Sequence, residues 1–174
     1  LTADLRGHVE IVEAQAARTK SLYEFARQLT ATPSTDAVLE AGRHFLATTV
    51  EAEGIELIAP GSATGRHDPE TARLLAACLE TRRLVTRPAG DQHRLAAALP
   101  LATLAGEQGV LRFVAQASRL QRSEDCEFIE TIGSLIAVAL ERTHFLEKAR
   151  QSEVERAAEN LRSTLLSSLS HDIR

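Results

Sequence analysis

The 174-residue chain has no methionine and no tryptophan, one tyrosine and five phenylalanines. With aromatics at 3% and hydrophobic residues at 44%, any core must be aliphatic, built from Leu, Val, Ile and Ala. The length allows one ordinary domain plus extended helices. Neither charge dominates: 20 Lys and Arg stand against 24 Asp and Glu, net −4. A nucleic-acid-binding surface would carry a basic excess, so no such partner is expected. The two cysteines, Cys78 and Cys126, lie apart in apolar helical patterns without CxxC spacing. They read as buried thiols of a reducing cytoplasm, and metal or redox roles are not expected. The longest nearly apolar run, Ile132 to Leu140, falls far short of the ~20 residues a bilayer span needs. Gly61 and Gly65 are not followed by Lys-Ser/Thr, so no loop for cradling phosphate is present. The absence of a signal peptide and of Met at position 1 sets the expectation of a piece of a longer protein.

What is there is mostly helical punctuation. Leu5, Val9, Val12, Ala16, Thr19, Tyr23 and Ala26 alternate steps of four and three, a heptad-like seam on a helix over 5–30. Leu22, Phe25 and Leu29 add a second apolar line that packs the later half on a globular body. Pro33 ends this helix, and Ser34 or Thr35 caps the next, over 36–50, which carries Val38, Gly42, Phe45 and Thr49 on one face and Leu39 and Leu46 beside them. Gly54 introduces a short strand, Ile55 to Ala59. After the turn-rich segment Pro60 to His67, Asp68-Pro69-Glu70 marks a strong helix start. That helix runs to about Arg82 with Leu74, Leu75, Cys78 and Leu79 inward. Leu84 to Gln92, with Pro88 and Gly90, reads as irregular. His93 to Ala105 and Gly109 to Gln116 are β-compatible and form a hairpin about Gly106 to Gly109. In the second run Val110, Arg112, Val114 and Gln116 alternate with Leu111, Phe113 and Ala115. Ser123, with Glu124 and Asp125, starts the last helix, whose broad apolar face is Phe128, Ile132, Leu135, Ile136 and Ala139.

That helix carries two apolar seams that do not join in phase. The first is Ile132, Ile136, Ala139, Thr143 and Leu146; the second is Val154, Ala158, Leu161, Leu165, Ser168 and Asp172. Between them Glu147 to Glu153 (EKARQSE) is almost wholly polar. A phase break of this kind marks local over- or underwinding, or a hinge, so the segment reads either as a signalling linker or as a solvated stretch of straight helix. The second seam ends in His171 and Asp172. An imidazole of pKa near ~6.5 supplies an unprotonated nucleophile at neutral pH. The neighbouring Asp172 can orient the ring or take up its proton. Arg82, Arg83 and Arg87 form a basic cluster, for which a solvated surface is favoured over an anion site.

Ser163 to Arg174 (STLLSSLSHDIR) resembles the phosphoacceptor box of sensor histidine kinases, where His-Asp/Glu-x-Arg/Lys follows serines on the first helix of a dimerising four-helix bundle. Leu161 to Arg174 as a whole is similar to the Kdp-type potassium sensor kinases. Ala17 to Leu29 (ARTKSLYEFARQL) looks like the first helix of the GAF domain in those kinases, and Ile136 to Leu146 (IAVALERTHFL) resembles the family's Ala-x-Ala-Leu-Glu-Arg exit. The resemblance implies an α+β GAF-like fold over 17–146, an antiparallel sheet flanked by helices, with PAS-like as the alternative. It divides the chain into a coiled-coil-like helix (1–16), the GAF-like domain, a polar linker (147–153) and the start of the acceptor helix (154–174). It implies His171 as phosphoacceptor, with Asp172 as assisting acid/base, in a cytoplasmic segment of a bacterial inner-membrane kinase of potassium or osmotic sensing. Expected partners are a second copy through the terminal helices, a downstream ATP-binding domain and a response regulator. ATP and Mg belong to the whole kinase; no cofactor or metal is expected here, and the piece alone should be inactive. The alternative is a small-metabolite-binding GAF module in which His171 has no phosphoryl-transfer role. An enzyme in the style of GAF-fold sulfoxide reductases is disfavoured, because neither cysteine lies in an exposed turn. The short lid segment between Ala59 and Asp68, and the lack of nucleotide or chromophore signatures, exclude nucleotides and tetrapyrroles from the expectation.

Overall fold

The computed structural model describes residues 2–62 and 67–172, with side chains described for 12–62, 67–90 and 93–168. In chain order the elements are α1 (Thr2–Ala31), α2 (Thr35–Thr49), β1 (Glu53–Ile58), α3 (Pro69–Thr81), β2 (Val85–Ala89), β3 (Asp91–Thr103), β4 (Gly106–Gln116), α4 (Ala117–Leu120) and α5 (Ser123–Asp172). The four strands form one antiparallel sheet in the order β1-β4-β3-β2.

Strand alternation gives this sheet two covered faces, each with its own apolar set. On one face Ala97, Leu99 and Leu101 of β3 and Leu111, Phe113 and Ala115 of β4 meet α1, α2 and α5 through Phe25, Leu29, Val38, Leu46, Ile129, Ile132 and Ile136. On the other, Ala98, Val110 and Ile58 meet Leu74, Leu75 and Cys78 of α3. The scarce aromatics are used where helices join: Phe25 and Phe45 stack at 4.1 Å between centroids and 12° between planes, tying α1 to α2.

The helix ends follow local chemistry. Ser34 caps α2 by accepting from the Ala37 amide at 3.3 Å. Asp68 caps α3 twice over, taking the Thr71 amide at 2.7 Å and the Thr71 hydroxyl at 2.8 Å, with Pro69 in the first turn. These hydrogen bonds, the backbone one first, hold the Asp68 carboxyl below its ordinary value. Arg82 closes α3 in the left-handed region, its amide bonded to the Cys78 carbonyl.

Two expectations are corrected. Leu84 to Gln92 is not irregular: Val85–Ala89 is a strand, turning at Gly90 (φ 69°) into β3. Pro88 argues against a central strand, but β2 lies at the sheet edge, where a missing amide is tolerated. The β3–β4 turn is also tighter than expected. Leu104 and Ala105 make it, and Gly106 already pairs with Thr103. Gly109 serves another purpose: at φ 135°, an added Cβ would lie 2.7 Å from the Ile58 carbonyl oxygen. It lets β1 approach β4, rather than making the bend. The short α4 carried no periodic signal long enough to read.

Candidate functional site

Two places carry the sequence-read chemistry: the far end of α5 and the outer face of the sheet. They are built differently.

The first half of α5 belongs to the body. Ile129, Ile132, Ile136, Ala137, Ala139, Leu140 and Thr143 are buried, so the first seam packs as its spacing predicts as far as Thr143, while Leu146 is exposed. Gly133 and Gly42 set its closeness. A Cβ at Gly133 would stand 2.9 to 3.0 Å from three carbons of Leu99, and one at Gly42 would stand 2.8 Å from Ile136 Cδ1. Polar ties fix its angle. The Arg142 guanidinium donates to the Leu29 and Thr32 carbonyls at 3.2 and 2.7 Å, serving the C-terminal end of α1. Thr143, 4% exposed, shares a 3.2 Å hydroxyl contact with Thr35 at the start of α2. Near the other end Arg18 pairs with Asp125, and its guanidinium carbon lies 5.6 Å above the Phe128 ring.

Beyond Thr143 the helix leaves the body. It runs unbroken through Glu147 to Glu153 to Asp172, and from His144 to Ser168 its side chains are exposed except for a half-buried Ser152. The second seam is part of this projection: Val154, Leu161 and Leu165 are 62%, 63% and 55% exposed. His171 and Asp172 fall on the last helical turn, and their side chains lie outside the described residues, as does Arg174 altogether.

On the outer face of the sheet, beside the start of α3, lies a cavity of about 310 Å³. Three arginines from three elements reach it: Arg73 of α3, Arg87 of β2 and Arg112 of β4. Arg112 is the deepest. Its side chain is 31% exposed, its Nη1 stands 4.0 Å from Glu56, and its Nε is buried with no hydrogen-bond partner. Of the cluster read from sequence, only Arg87 lines this cavity; Arg82 and Arg83 are exposed at the far end of α3 and do not. Arg73 and Arg112 were missed because they come together only when α3 folds over the sheet. The signal that could have found Arg112 is a cation on a strand face otherwise bearing Val110 and Val114.

The cysteines are sited for packing. Cys78 is 0% exposed, and burial, with a smaller contribution from Glu107, pushes its thiol up to about 12. Cys126 is half-buried rather than buried, and donates to the Leu120 carbonyl at 3.3 Å. Burial, then Glu130 and Asp125, raises it too. Neither is a thiolate nucleophile at neutral pH. Among the described residues no helix is long and apolar enough to cross a membrane.

No family model matches the chain, and no curated protein matches it. Solved structures do. The GAF domain of the potassium sensor histidine kinase KdpD from Escherichia coli is similar over 75% of this chain and 98% of its own, at 20% identity and a TM-score of 0.55. A GAF domain assigned to a sensor histidine kinase of Pseudomonas syringae pv. tomato is similar over 83% of this chain and 99% of its own, at 22% identity and a TM-score of 0.58. The chain has a GAF fold. The GAF sheet, with α1, α2 and α5 on one face and α3 on the other, replaces the PAS-like alternative. In this GAF fold the arginine-lined cavity lies under α3, on the opposite side of the sheet from the helix that leads to His171.

Proposed function

We propose that this chain is the cytoplasmic regulatory segment of a membrane-anchored sensor histidine kinase of the Kdp potassium-responsive type. Its GAF body biases α5, and α5 presents His171 as the phosphoacceptor. The observation that carries this reading is the single helix that starts in the core and then projects, with an exposed apolar seam, to the Ser-Leu-Ser-His-Asp box. An exposed line of Val154, Leu161 and Leu165 is the kind of surface a helical bundle covers, and a second copy of the chain is its partner. Glu147 to Glu153 then acts as the linker between sensing body and acceptor helix. Mg-bound ATP on a downstream domain supplies the phosphoryl group. The P–O bond to ADP breaks as Nε2 of His171 bonds to phosphorus, Asp172 positions the ring and takes its proton, and a response regulator later receives the phosphate.

The test is to extend the chain through its downstream domain, supply labelled ATP, and compare wild type with His171→Gln. Acid-labile, base-stable label on wild type alone is expected. No label on a folded, ATP-binding protein would overturn the assignment and favour the metabolite-binding module. Inserting one residue next to Arg150 rotates everything beyond it by about 100°. It should shift autophosphorylation severalfold, and an unchanged rate would remove the linker role.

A further inference from the structure

We infer that the segment Arg82-Arg83-Leu84 is a strap that carries the position of α3 round the edge of the sheet to α5, and that Glu130 is the residue that holds it. The tie itself is read from geometry; its bearing on output rests on the reading of α5 as the acceptor helix. α3 covers one face of the sheet and α5 the other, with α5 lying over β3 and β4. Between α3 and β2 the chain changes sides. Leu79 and Val85 pack with the α3 core, whereas Leu84 packs with the core to which α5 belongs. There the Leu84 amide donates to Oε1 of Glu130 at 3.0 Å, so that α5 reaches past β3 and β4 to the chain entering the edge strand. A half-buried carboxylate costs desolvation unless it accepts hydrogen bonds, and this one accepts from main chain. A backbone donor has no rotamers of its own, so it moves only when the chain moves.

The strap has little slack. At its α3 end Arg82 stands in the left-handed region (φ 52°, ψ 33°), its amide bonded to the Cys78 carbonyl at 2.9 Å. A non-glycine residue stays in that region only where its surroundings hold it there. The other anchor is the Leu84 amide on Glu130. The two anchored amides are two residues apart, a span of at most about 7 Å. A shift of the last turn of α3 beyond that reach pulls on Glu130. Glu130 lies about two turns into α5, well ahead of Arg142 and Thr143. So α5 is tied to the α3 layer near its start, and to α1 and α2 near the point where it leaves the body.

Native-state hydrogen exchange on the whole chain is the test, with Leu79→Ala as the disturbance at the end of α3. In the wild-type background it should quicken exchange severalfold both in the last turn of α3 and in α5 over 127–134, with α2 unchanged. An equal rise in α2 would mean general loosening and would overturn the strap. Glu130→Ala should quicken exchange of the Leu84 amide by roughly tenfold to a hundredfold, the range for one hydrogen bond to a charged group. It should also confine the effect of Leu79→Ala to α3, and Glu130→Gln, which keeps an acceptor, should restore the link. A glycine inserted between Arg83 and Leu84 leaves Glu130 in place and adds about 3.5 Å of chain. It should uncouple α5 as Glu130→Ala does, and so decides the matter even if a Glu130 variant fails to fold. The inference is overturned if α5 responds to Leu79→Ala as strongly without Glu130 as with it, or if the inserted glycine changes nothing. In the kinase extended through its downstream domain, Leu79→Ala should shift autophosphorylation severalfold only while Glu130 is present. Absence of label altogether would fault the acceptor reading and leave the exchange result standing.

Discussion

Replacing Arg142 with Leu tests how α5 is held to the body. The guanidinium donates to the Leu29 carbonyl at 3.2 Å and to the Thr32 carbonyl at 2.7 Å, at the point where α1 ends and the chain turns through Pro33. The two bonds are unequal. Leu29 also accepts from the Thr32 amide at 3.2 Å, so its carbonyl keeps a partner when Arg142 is lost. The bond to Thr32 is the shorter one and carries most of the effect. A hydrogen bond from a charged donor is worth roughly 1.5–3 kcal/mol, and a cation near a helix C-terminus adds about 0.3–1 kcal/mol. The site is half-buried, so the lower part of the first range applies, and Leu recovers some packing through its methyl groups. We expect a net loss of about 2 kcal/mol, or about 4–8 °C in melting temperature for a chain of this size. Urea unfolding should show a lower midpoint with an unchanged slope, and hydrogen exchange should quicken at the end of α1 and the start of α2. Arg142→Lys keeps the charge but loses the fixed planar direction of the two N–H donors on Nη2, and should recover about half the loss. A midpoint for Arg142→Leu within about 0.5 kcal/mol of wild type would refute the reasoning, since that is the scatter of ordinary surface changes.

The close approach of α5 to the sheet gives a second outcome, in which two effects oppose. Gly133→Ala gains about 1 kcal/mol of helix propensity, but its Cβ meets three carbons of the fully buried Leu99 at 2.9 to 3.0 Å, an overpacking cost of roughly 1–3 kcal/mol. Denaturation should show net destabilisation, and pairing with Leu99→Ala should relieve the clash; a stabilised Gly133→Ala would show that α5 can lift away freely. Cys78 predicts a pH dependence. Its folded value of about 12 lies above the ordinary 9.0, so the neutral thiol's contribution is complete below pH 9.0 and is lost progressively as pH rises from there toward 12. Relative to Cys78→Ala, wild-type stability should therefore fall on going from pH 8 to pH 10.5, and parallel curves would contradict the burial argument. In native protein at pH 8, Cys78 should resist thiol reagents until urea is added.

Much of the architecture was legible because it is written in local chemistry. Ser34 and Asp68 mark helix starts by accepting from nearby amides and Pro69 by its fixed φ, rules that need only a few neighbouring residues, and Ser123 opens α5 as its first helical residue. The 3.6-residue spacing of Phe128, Ile132, Leu135, Ile136 and Ala139 identifies the face that α5 turns inward: Ile132, Ile136 and Ala139 are buried and Phe128 and Leu135 half-buried, and the core also takes in Ile129 and Leu140 beside them. Sequence also supplied the order of the helices and strands other than β2 and α4, while the box at His171 and Asp172 is read from resemblance alone. What it did not supply depends on distant partners. β2 became a strand because it pairs with β3 at an edge that tolerates Pro88, and Gly109 owes its place to the Ile58 carbonyl on another strand. The cavity is the clearest case. Arg73, Arg87 and Arg112 lie in three elements, so their joint field arises only after α3 closes over the sheet, whereas the contiguous Arg82 and Arg83 point to no shared space. Periodicity and capping determine which surfaces a chain must bury, because they act over one or two turns. Only the tertiary structure decides which charges meet, because Coulomb's law depends on distance in space and not along the sequence.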